Sequence, residues 1–332
     1  MEIAQPYLLF LGDAPDRIAA KTAQGIAHWR SDICRGQLRL PGCRTDLGLP
    51  NLTLEEAVEA GCRTLVVGIA NRGGVIGEVW LAVLERALEL GLDLAAGLHN
   101  RLADQPRLAA AAKANGRRLH DVRHPTRSFD VASGKKRSGK RLLTVGTDCS
   151  VGKMYATLAL QRALAARGAK ATFRATGQTG ILISGDGVSV DAVIADFISG
   201  ATEWLTPDNE PDHWDLVEGQ GSLFHASFAG VSLGLLHGAQ PDALVLCHEP
   251  TRPHLRGLPD FPVPSLKTCM ELNLTTGRLT NPAIEFVGVA VNTSQMESAS
   301  ARDYLKGVED QLGMPALDPV KDDLSPIIER LV

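Results

Sequence analysis

Lys153 stands next to last in the stretch of this 332-residue chain whose residue types could do chemistry: Val145-Gly146-Thr147-Asp148-Cys149-Ser150-Val151-Gly152-Lys153-Met154. An apolar run, Leu142-Leu143-Thr144-Val145, comes before it, and a helical pattern, Tyr155 to Ala165, follows. Strand, glycine loop and helix in that order are what a phosphate-cradling P-loop requires, because backbone N–H groups and a helix N-terminus converge there on an anion. Lys153 would reach across to the phosphate oxygens. Gly146, Thr147, Asp148, Cys149, Ser150, Val151, Gly152, Lys153 and Met154 are therefore expected to bind a phosphate-bearing cofactor. The residue after the lysine ordinarily carries a hydroxyl that holds the magnesium of a nucleoside triphosphate. Met154 has none. The loop is predicted to hold phosphates without helping to split ATP.

Further candidates follow other predicted strands. Val217-Glu218-Gly219-Gln220-Gly221-Ser222 places Glu218 before a turn that two glycines leave open for a ligand. Glu218 and His225 are the candidate bases, the imidazole because its unperturbed pKa suits proton transfer near neutrality. Asp196, on an expected helix Val190–Trp204, is a third. Asn292 ends the run Val289-Ala290-Val291-Asn292 and offers donor and acceptor together, which suits an adenine edge or ties down its own loop. Arg174-Ala175-Thr176-Gly177-Gln178-Thr179-Gly180 is rich in small hydrogen-bonding groups. It reads as a loop facing substrate or phosphopantetheine, with Arg174, Thr176, Gln178 and Thr179 as substrate residues. A dicarboxylate could be met in the cluster His248 to Arg256 or at Lys267. Arg252 is favoured, since a guanidinium matches a carboxylate bidentately. Cys149 lies at a helix start, where a thiolate is stabilised, so it is either an acyl acceptor or a small residue filling the loop.

The elements that must position these groups alternate short apolar runs with helical patterns, the signature of parallel α/β sheets. Strands are predicted at Tyr7–Gly12, Thr64–Ala70, Asp93–Leu98 and Arg118–Val122, then at Arg141–Val145, Lys170–Arg174, Trp214–Glu218, Asp242–His248 and Ile284–Val291. Thr53-Leu54-Glu55-Glu56 is a capping box, and a helix is expected from Gly77 to Leu90. Loops after the early strands carry Arg72 and His99, where ligands gather in an open parallel sheet. A Gly/Ser/Lys stretch, residues 133–140, separates residues 1–132 from 141–332 as an interdomain linker. The expected fold is thus α/β, a Rossmann-like parallel-sheet domain followed by a P-loop NTPase-like one.

The composition, 44% hydrophobic and 22% charged with net charge -4, is that of a globular protein with no electrostatic case for nucleic acid or anionic membrane as partner. No run approaches the ~20 apolar residues of a membrane span. Six cysteines without paired CxxC spacing read as reduced cytoplasmic thiols, with no zinc site. No metal is expected. A symmetric homo-oligomer is the expected assembly for such a chain.

With five residues between Gly146 and Gly152, the loop resembles that of dethiobiotin synthetase. The Val217–Ser222 segment is similar to the strand end whose Glu faces nucleotide phosphates there, and Val289–Asn292 to the strand whose Asn meets adenine. Together with Arg174–Gly180, Gly68–Gly74, Gly97-Leu98-His99 and Asp191–Phe197, these segments make the chain resemble the D-glutamate N-acetyltransferase family over nearly its whole length. The resemblance implies transfer of acetyl from acetyl-CoA to the amino group of D-glutamate, alongside a dehydrogenase that processes the product. It is consistent with the loop, since coenzyme A carries a diphosphate that a P-loop can hold without phosphoryl transfer. On this reading Glu218 or His225 is the base, glycine-turn amides stabilise the oxyanion, and Arg252 with Arg174 clamps carboxylate. The rival is an ATP- and magnesium-dependent ligase or kinase in which Thr157 or Asp148 replaces the missing metal ligand. A non-catalytic nucleotide sensor is a third possibility.

Overall fold

In a computed structural model, which describes residues 3–17, 19–69 and 76–332, the chain divides into two compact units. One comprises Met1–Thr126 and Gln178–Ser189, the other Arg127–Gly177 and Val190–Val332.

The first unit holds a five-stranded sheet, β1 (Tyr7–Gly12), β2 (Cys34–Arg39), β3 (Thr64–Val67), β4 (Asp93–Ala96) and β5 (Leu119–Asp121), in the order β2-β1-β3-β4-β5. Every pair is parallel. β1, β3 and β4 are buried along their whole length, so they read as unbroken apolar runs. The helices are α1 (Lys21–Trp29), α2 (Leu54–Glu59), α3 (Glu78–Glu89) and α4 (Pro106–Asn115). α2 opens with the expected reciprocal cap: Glu56 N–H donates to Thr53 Oγ1 at 3.2 Å and Thr53 N–H to Glu56 Oε2 at 2.8 Å. α3 buries Trp80, Leu81, Leu84, Ala87 and Leu88, one stripe at helical spacing. β2 was not among the expected strands, because its sequence is polar. Its Gln37 is nonetheless fully buried, donating to Asp46 Oδ1 and Leu49 O and accepting from Leu47 N–H. The turn expected to carry Arg72 lies outside the described residues.

The second unit is built on a parallel sheet of β6 (Lys140–Gly146), β7 (Ala171–Arg174), β8 (Trp214–Val217), β9 (Ala243–His248), and, after a two-stranded antiparallel ribbon β10 (His254–Leu255) and β11 (Leu258–Pro262), β12 (Glu285–Val291) and β13 (Ala316–Leu317). The order is β13-β12-β9-β6-β8-β7, which sets β6 in mid-sheet with β9 and β8 beside it. α5 (Lys153–Ala166) follows β6. After α6 (Gln178–Ser184), which belongs to the first unit, come α7 (Ile198–Leu205), α8 (Ala229–Ala239), α9 (Leu266–Gly277), α10 (Ser298–Leu312) and α11 (Ser325–Ile328). Leu143, Val217, Leu244, Leu246, Val289 and Val291 form the core with α8 and α9. Residues 133–140 run along this unit: Ser133 and Gly134 N–H both donate to the Glu203 carboxylate at 2.8 Å, and Ser138 N–H to Asp208 at 2.7 Å.

The expected helix Val190–Trp204 is instead two single 3-10 turns, Val190–Ala192 and Ala195–Phe197, leading into α7. Ile194 between them is extended (φ −58°, ψ 138°), which breaks the helical ladder. Asp196 sits exposed in the second turn. No helix among the described residues is long and apolar enough to cross a membrane.

Candidate functional site

The glycine loop leaves β6 at Gly146 and enters α5 at Lys153, as a P-loop must. Two of its residues adopt left-handed backbone, Ser150 (φ 55°) and Gly152 (φ 100°). Thr147 N–H donates to Cys247 O at 3.1 Å and anchors the loop to β9. The Lys153 side chain is buried, and its ammonium donates to Asp148 O at 2.9 Å inside the loop. Burial pushes the Lys153 pKa down, since a desolvated ammonium lacks water. Among the described residues this is the only hydrogen-bond partner of that cation, so the cradle fits an anionic phosphate that would complete it. Met154 is half-buried beside it. Thr157 cannot substitute as a metal hydroxyl: it is fully buried one turn into α5, donates to Lys153 O at 2.8 Å and faces Thr144 Oγ1 at 2.9 Å.

Glu218 follows the last residue of β8 and is buried against the same loop. Its Oε2 accepts from the backbone N–H groups of Thr176 (3.0 Å) and Gly177 (3.2 Å), and Oε1 accepts from Gln220 Nε2 (3.3 Å). Thr176 Oγ1 donates to Glu218 O at 2.5 Å. Burial raises the Glu218 pKa to about 7, with the two amides and the Lys153 charge pulling the other way. The backbone can pass this close to β6 because position 219 has no side chain. A Cβ on Gly219 would overlap the Thr144 carbonyl and crowd the Lys153 stem, and Gly219 N–H donates to Thr144 Oγ1 at 3.0 Å.

On the other flank Asp148 is the hub of a hydrogen-bonded knot. Its Oδ1 accepts from Cys149 N–H at 2.6 Å, and its Oδ2 from Arg252 NH1 at 2.6 Å and Arg256 N–H at 2.8 Å. Arg252 also donates to Cys149 O at 2.7 Å and pairs with Glu249 Oε2 at 3.3 Å. Its guanidinium therefore clasps the P-loop itself. His225 is buried with both ring nitrogens engaged: Nδ1 accepts from Ser227 N–H at 3.2 Å and Nε2 donates to Arg256 O at 2.9 Å. Both ring nitrogens of His225 are thus hydrogen-bonded within the protein, as are both carboxylate oxygens of Glu218. Ligand atoms of Asp148, Cys149 and His225 lie within 4.8 Å of one another. Those of Asp148 and His225 are already hydrogen-bonded, so a metal would have to break this knot. Burial raises the Cys149 pKa and so disfavours the thiolate, while the nearby Lys153 charge pulls the other way.

The remaining candidates are dispersed. Arg174 donates to Asp215 Oδ1 at 2.7 Å, a buried carboxylate on the neighbouring strand β8. Gln178 and Thr179 belong to the first unit, where Arg123 donates to Gln178 Oε1 at 2.9 Å and the Thr179 and Thr22 hydroxyls lie 3.4 Å apart. His99 is exposed there. Asn292 accepts from Ser294 N–H at 3.1 Å and stands beside the loop, since a Cβ on Gly152 would come within 3.8 Å of its Cβ. Lys267 is exposed at the start of α9. One contributor was passed over as an individual residue: His248, at the end of β9, meets Thr147 Oγ1 through Nδ1 at 2.9 Å and stacks on Tyr304. Burial pushes it down to about 4, so it is a neutral prop for the loop. Its place at the end of a predicted strand was visible in sequence, but not that this strand adjoins β6.

Two family models match the chain. One, "Domain of unknown function (DUF1611_N) Rossmann-like domain", covers residues 39–125, and the other, "Domain of unknown function (DUF1611_C) P-loop domain", covers residues 130–328. The chain belongs to the DUF1611 family. Its α/β architecture, Rossmann-like then P-loop, is the one these models describe. Among DUF1611 relatives, a protein of Tritonibacter scottomollicae named D-glutamate N-acetyltransferase is 58% identical over 329 residues, 99% of each chain. One of the same name from Pseudoalteromonas sp is 48% identical over 331 residues, the full length of both. The crystal structure of a DUF1611 family protein from Anabaena variabilis matches with a TM-score of 0.87 and 31% identity over 99% of each chain.

Proposed function

We propose that this protein is an N-acetyltransferase that moves acetyl from acetyl-CoA to the amino group of D-glutamate. The observation that carries the reading is a P-loop whose buried lysine is turned into the loop on Asp148 O, while the residue after it, Met154, has no hydroxyl to hold magnesium. A diphosphate that is bound but never cleaved fits that loop. The substitutes an ATP-dependent ligase or kinase would need are engaged elsewhere, Thr157 inside α5 and Asp148 in the arginine knot. The names of the two full-length relatives support the acetyl group and the D-glutamate acceptor.

Residues 146–154 and Asn292 would hold the nucleotide end of the coenzyme. Glu218 is assigned as the general base, because burial sets its ionisation near neutrality, where a base works best. The amine nucleophile would lose its proton to this carboxylate as it attacks the thioester carbonyl; the C–S bond would then break, and the departing coenzyme A thiolate would take up that proton as the thiol. Glycine-turn N–H groups would meet the oxyanion. Thr176, whose N–H and hydroxyl meet Glu218, would face the substrate. Arg252 contributes by holding the P-loop, and His225 by holding Arg256, rather than by touching acceptor. A homo-oligomer and a place in D-amino acid breakdown complete the reading.

Free-thiol release from acetyl-CoA, followed with D- and L-amino acids in chelator, tests it. Release with D-glutamate is the expected result. Magnesium-dependent ATP hydrolysis without any thiol release would replace it with the ligase.

A further inference from the structure

The order of strand ends in the P-loop sheet fixes where a bound nucleotide's ribose must lie. The phosphate cradle follows β6 at Gly146, the Asn292 position follows β12, and β9 runs between those two strands. The three ends are tied side by side: Thr147 N–H donates to Cys247 O at 3.1 Å, and Asn292 N–H to His248 O at 2.8 Å. A nucleotide with its phosphates on the loop and its base at Asn292 therefore carries its ribose over the end of β9. The segment that leaves β9 there runs from Glu249 to Arg256.

Two arginines stand in that segment, and their circumstances differ. Arg252 is consumed by Asp148, Cys149 O and Glu249. Arg256 is fixed through its backbone, its N–H on Asp148 Oδ2 at 2.8 Å and its carbonyl under His225 Nε2 at 2.9 Å. Its guanidinium is exposed and rests on a neutral group, the Ser150 hydroxyl of the P-loop. Among the described residues it makes no ion pair. A rigidly mounted, unpaired guanidinium at the ribose position is suited to an anion on the sugar, because its planar fork takes phosphate oxygens bidentately. ATP and ADP offer only hydroxyls there. Coenzyme A offers a 3′-phosphate.

We propose that Arg256, mounted between the P-loop and His225, receives the 3′-phosphate of coenzyme A and makes the site prefer coenzyme A over adenine nucleotides that lack it. This rests on the acetyl-CoA reading and deepens it.

Calorimetric binding of coenzyme A and of 3′-dephospho-coenzyme A to the full-length protein tests the proposal. The wild type should bind coenzyme A about 10- to 100-fold more tightly, the range of one charge-assisted contact. Arg256→Ala should lose that factor for coenzyme A and leave the dephospho compound within about 2-fold, with Arg256→Lys in between because it keeps the charge but not the fork. Equal weakening of both ligands in Arg256→Ala, or no preference in the wild type, would overturn it. Binding of neither compound while ATP binds would overturn the acetyl-CoA reading itself, and that result is distinguishable from the other two.

Discussion

At the scale of single residues, the account turns on Glu218. Its carboxyl has a folded pKa of about 7 against an ordinary 4.5, so burial favours the protonated form. The native state then holds a proton that the unfolded chain releases between those values. The stability this contributes is complete below about pH 4.5 and is lost as pH rises through about 7. Glu218→Gln should therefore gain stability relative to wild type as pH climbs from 5 to 8, by up to about 3 kcal/mol at roughly 1.4 kcal/mol per pKa unit, read from urea unfolding at each pH. It should also lose about 100-fold or more in turnover, as removal of a general base does. Wild-type kcat/KM should rise as pH passes through 7. A variant with unchanged turnover would remove Glu218 from the chemistry. The places of Lys153 and Met154 at the start of α5, and of Glu218 just after β8, were legible in sequence because they depend on near neighbours. The partners of Arg252 and His225 were not, since each lies far along the chain: Asp148 for one, Arg256 for the other.

At the scale of elements, the site depends on how closely β8 can approach β6 where both end. Gly219 makes that approach possible, with its N–H on Thr144 and no room for a methyl group against the Thr144 carbonyl. Gly219→Ala should cost about 3 kcal/mol or more, because the obstacle is backbone that cannot rotate away. Urea unfolding measures this, and a loss below about 1 kcal/mol would mean that the turn tolerates a shift. Strands with continuous apolar runs, such as β1 and β9, were readable from sequence within a residue or so. β2 was not, because its buried Gln37 is satisfied by a loop that the strand pattern does not reveal. Val190–Trp204 has helical spacing of apolar residues, yet the extended Ile194 divides it, so periodicity alone overestimated the helix.

At the scale of the whole molecule, the chain's two units are not consecutive in sequence. Residues 178–189 return to the first unit, where α6 packs on α1 and buries Ile181, Leu182 and Ile183. No composition shift marks that excursion, which is why the sequence reads as two successive halves. Burial of three such side chains is worth about 1.5–3 kcal/mol each. That is comparable to the entire stability of many domains, about 5–15 kcal/mol. A fragment of residues 1–126 should accordingly melt without cooperativity and expose apolar surface to a fluorescent dye. A sharp transition like that of the first unit in the intact protein would contradict this.

On the proposed reading, the P-loop holds acetyl-CoA by its diphosphate and turnover needs no metal. The most direct test is thiol release from acetyl-CoA with D-glutamate in excess chelator, for wild type beside Lys153→Met. Wild type should turn over in chelator at its full rate. The variant should show a KM for acetyl-CoA raised about 10- to 100-fold, as expected for loss of one charged contact, with KM for D-glutamate little changed. Turnover that requires magnesium, or an acetyl-CoA KM indifferent to Lys153, would contradict the account.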